Sequence, residues 1–220
     1  ALAVGDDRSA AVLLAVDAVG VPAAVADAVA ARLARSHGIP RERVAVCATH
    51  THTGPQVNGV VPLIFGEPVP PAHQDHLDQY AARLTDGLAK AAARALADRR
   101  PGRLAWAEGA VGFATNRRVV EGGRWVKFGE AAAGPVDRSL PVLRVTAPDG
   151  TVRGVVANYA CHCTTFNGTD NVIHGDWAGA AAEALEAKYP GAVALVVIGC
   201  GGDANPAPRG GGAEQARVHG

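Results

Sequence analysis

The sequence lacks an excess of charge of either sign, with 21 Lys and Arg set against 21 Asp and Glu. Without a basic stripe nothing holds a phosphate backbone or an acidic lipid surface, which argues against nucleic acid as a partner. Long apolar runs are missing as well. None approaches the roughly 20 residues that span a bilayer, and the N-terminus lacks the charged-then-apolar order of a signal peptide. The chain therefore reads as a soluble piece with no transmembrane segment; its compartment is open, cytoplasm standing ahead of export. Cysteine is sparse, at positions 47, 161, 163 and 200. Four are too few for a disulfide scaffold at this length, and Cys161 and Cys163 are too close to pair comfortably, so the thiols are read as reduced. Aromatic residues make up 5%, which leaves open whether a lipid tail, a peptide or a small amide is bound. Methionine is absent even at position 1, as expected of an N-terminally incomplete sequence. Oligomeric state is not legible.

What is present suits one core. A chain of 220 residues at 48% hydrophobic content falls in the range of a single domain, expected over residues 1–220. Residues 11–19 are apolar but for Asp17, as a buried strand would be. Pro22 can sit in a first helical turn, and Val25, Val29 and Leu33 recur at fourfold spacing until Gly38 and Pro40 stop that helix. A strand over 43–48 and a loop rich in Pro and Gly lead to a long helix, whose stripe of Leu77, Tyr80, Leu84, Leu88 and Ala91 reaches about Asp98. A strand begins at 104–107. Residues 141–146 and 152–160 flank Ala147-Pro148-Asp149-Gly150 and read as a hairpin. Asp176 can cap a helix ending at Pro190-Gly191, followed by a buried strand over 192–198; the glycines at 210–212 read as a mobile end. These elements predict a three-layer α/β domain with a central mixed β-sheet flanked by helices.

Two strand ends carry histidines, where α/β domains usually place their chemistry. In the first, Ala48-Thr49-His50-Thr51-His52-Thr53-Gly54-Pro55, extended backbone puts His50 and His52 on one face and the threonines on the other. Both imidazoles can reach one metal site, or both can be ordinary loop histidines. In the second, Tyr159-Ala160-Cys161-His162-Cys163-Thr164-Thr165, His162 faces away from both cysteines. A single imidazole would then ligate a metal while the thiols pack as small apolar groups; taken alone, this position reads first as a lone buried histidine bonded to backbone.

Together with Asn116-Arg117-Arg118, Gly134-Pro135-Val136-Asp137, His174-Gly175-Asp176 and Gly202-Asp203-Ala204-Asn205-Pro206, these segments resemble the N-terminal catalytic domain of the neutral/alkaline non-lysosomal ceramidases. The likeness covers nearly the whole chain and is most specific at ATHTHTGP. It implies a Zn2+ held by His50 and His162, with His52 and Arg117 facing the substrate or its developing oxyanion; Arg117 read alone is equally a surface charge beside Arg118. Asp176 either accepts the second N–H of a zinc histidine or only caps a helix. Asn116 and Asp203 are candidates for substrate contact, and Asp203 and Asn205 are also ordinary turn formers. The implied activity is amidase cleavage of a small or lipid-like N-acyl substrate, as in sphingolipid metabolism.

Two departures qualify that implication. Ceramidases place a serine nucleophile where this chain has Asn205, and an amide side chain cannot form the acyl intermediate. Direct attack by zinc-activated water, with Asn205 orienting a carbonyl, is then preferred to ceramide cleavage through serine. The family also completes its zinc shell with a glutamate and a tyrosine further along, so the chain reads as truncated at both ends. A noncatalytic metal-binding domain of the same fold is the alternative. A nucleotide-binding loop at 199–204, Gly-Cys-Gly-Gly-Asp-Ala, is disfavoured because Pro206, Pro208 and three glycines deny it the helix that would hold a pyrophosphate.

Overall fold

The computed structural model describes residues 1–60 and 69–220, so the loop rich in Pro and Gly lies partly outside the described residues. The chain falls into two compact units, Ala1–Ala48 with Pro55–Pro101 and Thr49–Gly54 with Gly102–Gly220.

The first unit holds strands β1 (Leu2–Val4), β2 (Ala11–Val16) and β3 (Val44–Ala48) and helices α1 (Ala23–His37) and α2 (Pro71–Ala97). β1 pairs antiparallel and β3 parallel with β2. The parallel pair needs a crossover, which α1 supplies. Helix α1 follows Pro22 and ends at Gly38, whose φ of 68° is a left-handed conformation that glycine adopts without a Cβ penalty. Val25, Val29 and Leu33 line one stripe of α1 and pack with Leu14, Leu88, Ala92 and Leu96 in one core. α2 begins six residues ahead of the apolar stripe, at Pro71, since a helix's first turn has no use for the missing N–H.

The second unit runs β4 (Arg103–Ala110), β5 (Ala114–Glu121), β6 (Arg124–Ala131), β7 (Ser139–Thr146), β8 (Val152–Tyr159), α3 (Asp176–Lys188), β9 (Val193–Ile198), β10 (Ala204–Pro206) and α4 (Gly212–His219). The expected 147–150 turn joins β7 to β8, and β9 lies parallel to β8 after the α3 crossover. The α/β class with mixed sheets stands. Where a single central sheet was expected, the described strands divide into three: β1-β2-β3, β4-β7-β8-β9 and β10-β5-β6. The third sheet has no strong apolar alternation to announce it. Its hairpin turns on Gly122 and Gly123, both at positive φ, and β10 closes against β5 through tertiary pairing. The glycines at 210–212 are not a loose end: Gly210 N–H bonds the Thr165 carbonyl at 2.7 Å and Gly212 opens α4. Among the described residues no helix is long and apolar enough to cross a membrane.

Candidate active site

All the residues of the site belong to the second unit. Thr51 pairs with Cys163 in a parallel β-bridge, reinforced by His52 N–H on the Cys163 carbonyl at 3.2 Å. Parallel pairing sets residue 50 beside residue 162. Thr51 and Cys163 turn their side chains inward, fully buried, which sends the flanking histidines to the other face. Both threonine hydroxyls, of Thr51 and Thr53, donate to the His174 carbonyl at 2.8 and 2.9 Å, fixing the segment from its inner side. His50 takes a φ of 58°, a left-handed conformation uncommon outside glycine.

The result is a cluster of His50, His52 and His162, one nitrogen of each lying within 4.8 Å of the others. Ring centroids are 4.9 Å apart for His50 and His52 and 4.6 Å for His50 and His162, and the Nε2 atoms of His50 and His52 are 3.4 Å apart. His162 is buried, His52 exposed and His50 between them. His162 Nδ1 lies 2.7 Å from the Gly201 carbonyl. A carbonyl only accepts, so Nδ1 carries the proton and Nε2 keeps its lone pair for the cluster. Gly201 must be glycine for this approach, since a Cβ would stand 2.6 Å from the Cys161 amide nitrogen. Desolvation pushes the His162 imidazole down to about 4 against the Gly201 bond, with Arg117, His50 and His52 adding to the shift. Desolvation, then the charges of His50, Arg117 and Arg209, push His52 down to about 4 as well. Both rings are therefore neutral near pH 7, the form in which imidazole ligates.

This donor set fits a metal ion. Zinc–nitrogen bonds of about 2.0–2.1 Å place two donors at most about 4.2 Å apart, so the cluster closes on an ion with side-chain movement below about an ångström. Neutral imidazoles suit zinc, copper or nickel more than calcium or magnesium. The thiols stay out: burial pushes Cys161 up and away from the thiolate form, and its Sγ faces the His162 carbonyl at 3.5 Å.

The remaining sequence candidates separate into two groups. Arg117 stays beside the cluster: Nε and one terminal nitrogen donate to the Gly202 carbonyl at 3.1 and 2.8 Å, and its guanidinium lies over the Phe128 ring at 4.7 Å. Asn205 is buried next to it, its side-chain oxygen accepting the Thr164 hydroxyl at 3.2 Å. Asn116 is framework, with its amide nitrogen on the Pro135 carbonyl at 2.7 Å and its oxygen accepting Arg118 N–H at 2.8 Å. Asp203 accepts Arg117 N–H through its backbone at 2.7 Å, and its carboxylate lies 3.4 Å from the Asn116 amide. Asp176 has neither role offered for it at His162. The one N–H of His162, on Nδ1, goes to Gly201, and Gly175 holds the helix-cap position without a side-chain bond. Fully buried, the Asp176 carboxylate instead accepts Thr165 N–H at 2.9 Å, the Thr165 hydroxyl at 2.6 Å and Trp177 N–H at 2.7 Å. Trp177 in turn donates its indole N–H to the His162 carbonyl at 2.9 Å. The nucleotide loop runs into β10 where a pyrophosphate site needs a helix.

Gly201, Trp177 and Arg209 were not found from the sequence. Their contacts to residues 161–164 cross 15 to 45 positions, and no local pattern marks them.

A model of the neutral/alkaline non-lysosomal ceramidase N-terminal domain matches residues 1–200. Neutral ceramidase from Pseudomonas aeruginosa shares the fold with a TM-score of 0.74 at 22% identity, over 96% of this chain and 35% of that one. A ceramidase complexed with C2 gives 0.71 at 23% identity, over 90% of this chain and 31% of that one. The chain thus spans about a third of these structures, and the likeness to them at such identity speaks for the fold. No curated protein matches. With the family's pattern running through both units, the chain belongs to the neutral/alkaline non-lysosomal ceramidase family.

Proposed function

We propose that this chain carries the metal-binding part of a zinc-dependent hydrolase that cleaves an N-acyl amide bond, within one catalytic domain that includes residues 1–220. The single observation behind this reading is the convergence of three imidazoles, two of them held neutral, on one small volume. His50 and His162 are the ligands, and His162 is aimed by the Gly201 carbonyl. A bound zinc supplies Lewis acidity toward a carbonyl oxygen and makes water a nucleophile near neutral pH. His52, neutral and the most exposed of the three, hydrogen-bonds the substrate carbonyl. Arg117, fixed by two bonds to Gly202, offers its remaining donors to the negative charge that develops on that oxygen. Asn205 holds Thr164 and has no nucleophilic role. Ceramide, the substrate class behind the family's name and its place in sphingolipid metabolism, is accordingly set behind other N-acyl amides.

Metal analysis of the full-length protein beside His50→Ala and His162→Ala, with a screen of N-acyl substrates, is the test. Each substitution is expected to remove most of the zinc, whereas His52→Ala keeps it and loses turnover. Full zinc occupancy in both ligand variants would end this reading. The second reading, a noncatalytic metal-binding domain, draws on Asn205 at the serine position; zinc binding without turnover of any amide or ester would favour it.

A further inference from the structure

The formal charge of the chain is zero, yet cationic groups gather at the histidine cluster. Arg117, Arg118 and Arg209 lie close enough that the latter two both oppose the charge on Arg117, and Arg117 and Arg209 both act on His52. Asp203 is the counter-charge felt by Arg117, but its carboxylate is turned to the Asn116 amide. Among the described residues none of the three arginines has a carboxylate within ion-pair distance; the four ion pairs found involve Arg32, Arg41, Arg99 and Arg100.

The donor inventory sharpens this. Arg209 uses only Nε, on the Thr164 carbonyl at 2.7 Å, two residues beyond His162. That bond orients the guanidinium and leaves both terminal nitrogens, among the described residues, without a protein acceptor. Such an anchored fork matches the two oxygens of a carboxylate. Arg209 and His52 are both exposed, and the bond to Thr164 anchors Arg209 at a carbonyl two residues along the chain from His162. One developing oxyanion would need no more than a metal held by His50 and His162 and a single cation such as Arg117. A further fixed cation with two free donors is complementary to a charge the substrate already carries.

We infer that the substrate of this site is an N-acyl amino acid, an amide bearing a carboxylate within a few bonds of the scissile C–N bond, with that carboxylate held by Arg209 beside Arg117. The hydrolytic step rests on the reading above; the charge selectivity stands on the arginines. In that step the hydroxyl of water bonds to the acyl carbon, the C–N bond breaks, and the amine nitrogen takes the remaining proton. No other reactant is required.

The experiment compares N-octanoylglycine with N-octanoylglycinamide on the full-length protein. With zinc bound, the acid is expected to be cleaved with kcat/KM higher by about tenfold or more, mostly through KM, the range for hydrogen bonds to a charged group. Calorimetric binding with a chelator present, which prevents the carboxylate from coordinating metal, is expected to favour the acid over the amide in the same order. Arg209→Ala removes most of the preference and Arg209→Lys keeps part of it. Equal cleavage and binding of acid and amide by the wild type overturns the inference and leaves the hydrolase standing, even if a variant folds poorly. A preference unchanged in a folded Arg209→Ala also overturns it. Selective binding of the acid, lost in Arg209→Ala, with neither compound cleaved supports the anion site and removes the hydrolase.

Discussion

His162 and Gly201 show what one side chain and one missing side chain accomplish together. The imidazole is buried and neutral, with its proton on Nδ1 because only a carbonyl meets that nitrogen. Its folded value, pushed down to about 4, lies below the ordinary 6.5, as does that of His52. Between those values the unfolded chain takes up protons that the folded chain refuses, so folding weakens as pH falls. Urea midpoints of the metal-free protein are therefore expected to drop from pH 6.5 toward 4, with a shallower drop in His162→Asn. At Gly201, a methyl group would meet backbone atoms of Ala160 and Cys161 at 2.6 to 2.9 Å, which cannot swing aside. Gly201→Ala is expected to cost at least about 1–3 kcal/mol in a denaturant titration and to weaken zinc binding, because the carbonyl on His162 moves with it. The shared face of His50 and His52 was legible from strand geometry. The aim of His162 was not, since it depends on a carbonyl 39 positions away.

Elements position these residues through their ends. The Thr51–Cys163 bridge sets one strand end beside another, and the start of α3 braces the loop between them through Asp176 and Trp177. Trp177→Phe keeps the ring's place among Tyr159, Ala178 and Val196 but leaves the His162 carbonyl only the weak Cys161 S–H donor. Losing such a buried hydrogen bond costs about 1 kcal/mol. Asp176→Asn puts an amide donor against Thr165 or Trp177, which already donate. Both variants are expected to lower the urea midpoint and speed zinc release into a chelator, whereas Glu186→Gln, exposed near the other end of α3, changes neither readout. Helix α1, the β7–β8 hairpin and β9 could be read ahead of time because apolar spacing, prolines and glycines mark them locally. The β5–β6 hairpin and β10 could not: β6 is exposed along most of its length and β10 owes its existence to pairing with Asn116 and its neighbours.

At the scale of the whole molecule, each unit has its own core, one around Leu14, Val29 and Leu33 and one around Tyr159, Trp177 and Val196. Leu14 is 1% exposed, and Leu14→Ala is expected to cost about 2–5 kcal/mol in denaturant unfolding. The histidines, Gly201 and Trp177 all lie in the other unit, so zinc per folded chain, measured well below the melting transition, is expected to stay at the wild-type value. Residue order was enough to place the α/β class, most strands and helices, the histidine pair and the family, because those depend on periodicities and motifs a few residues long. Folding alone determined that the described strands divide among three sheets, that Asp176 serves Thr165 and Trp177, that Gly201 aims His162, and that Arg209 bonds Thr164 beside the cluster. Those outcomes rest on backbone groups and charges brought together across long stretches of chain, where hydrogen-bond satisfaction and burial select the partner and no local pattern records it.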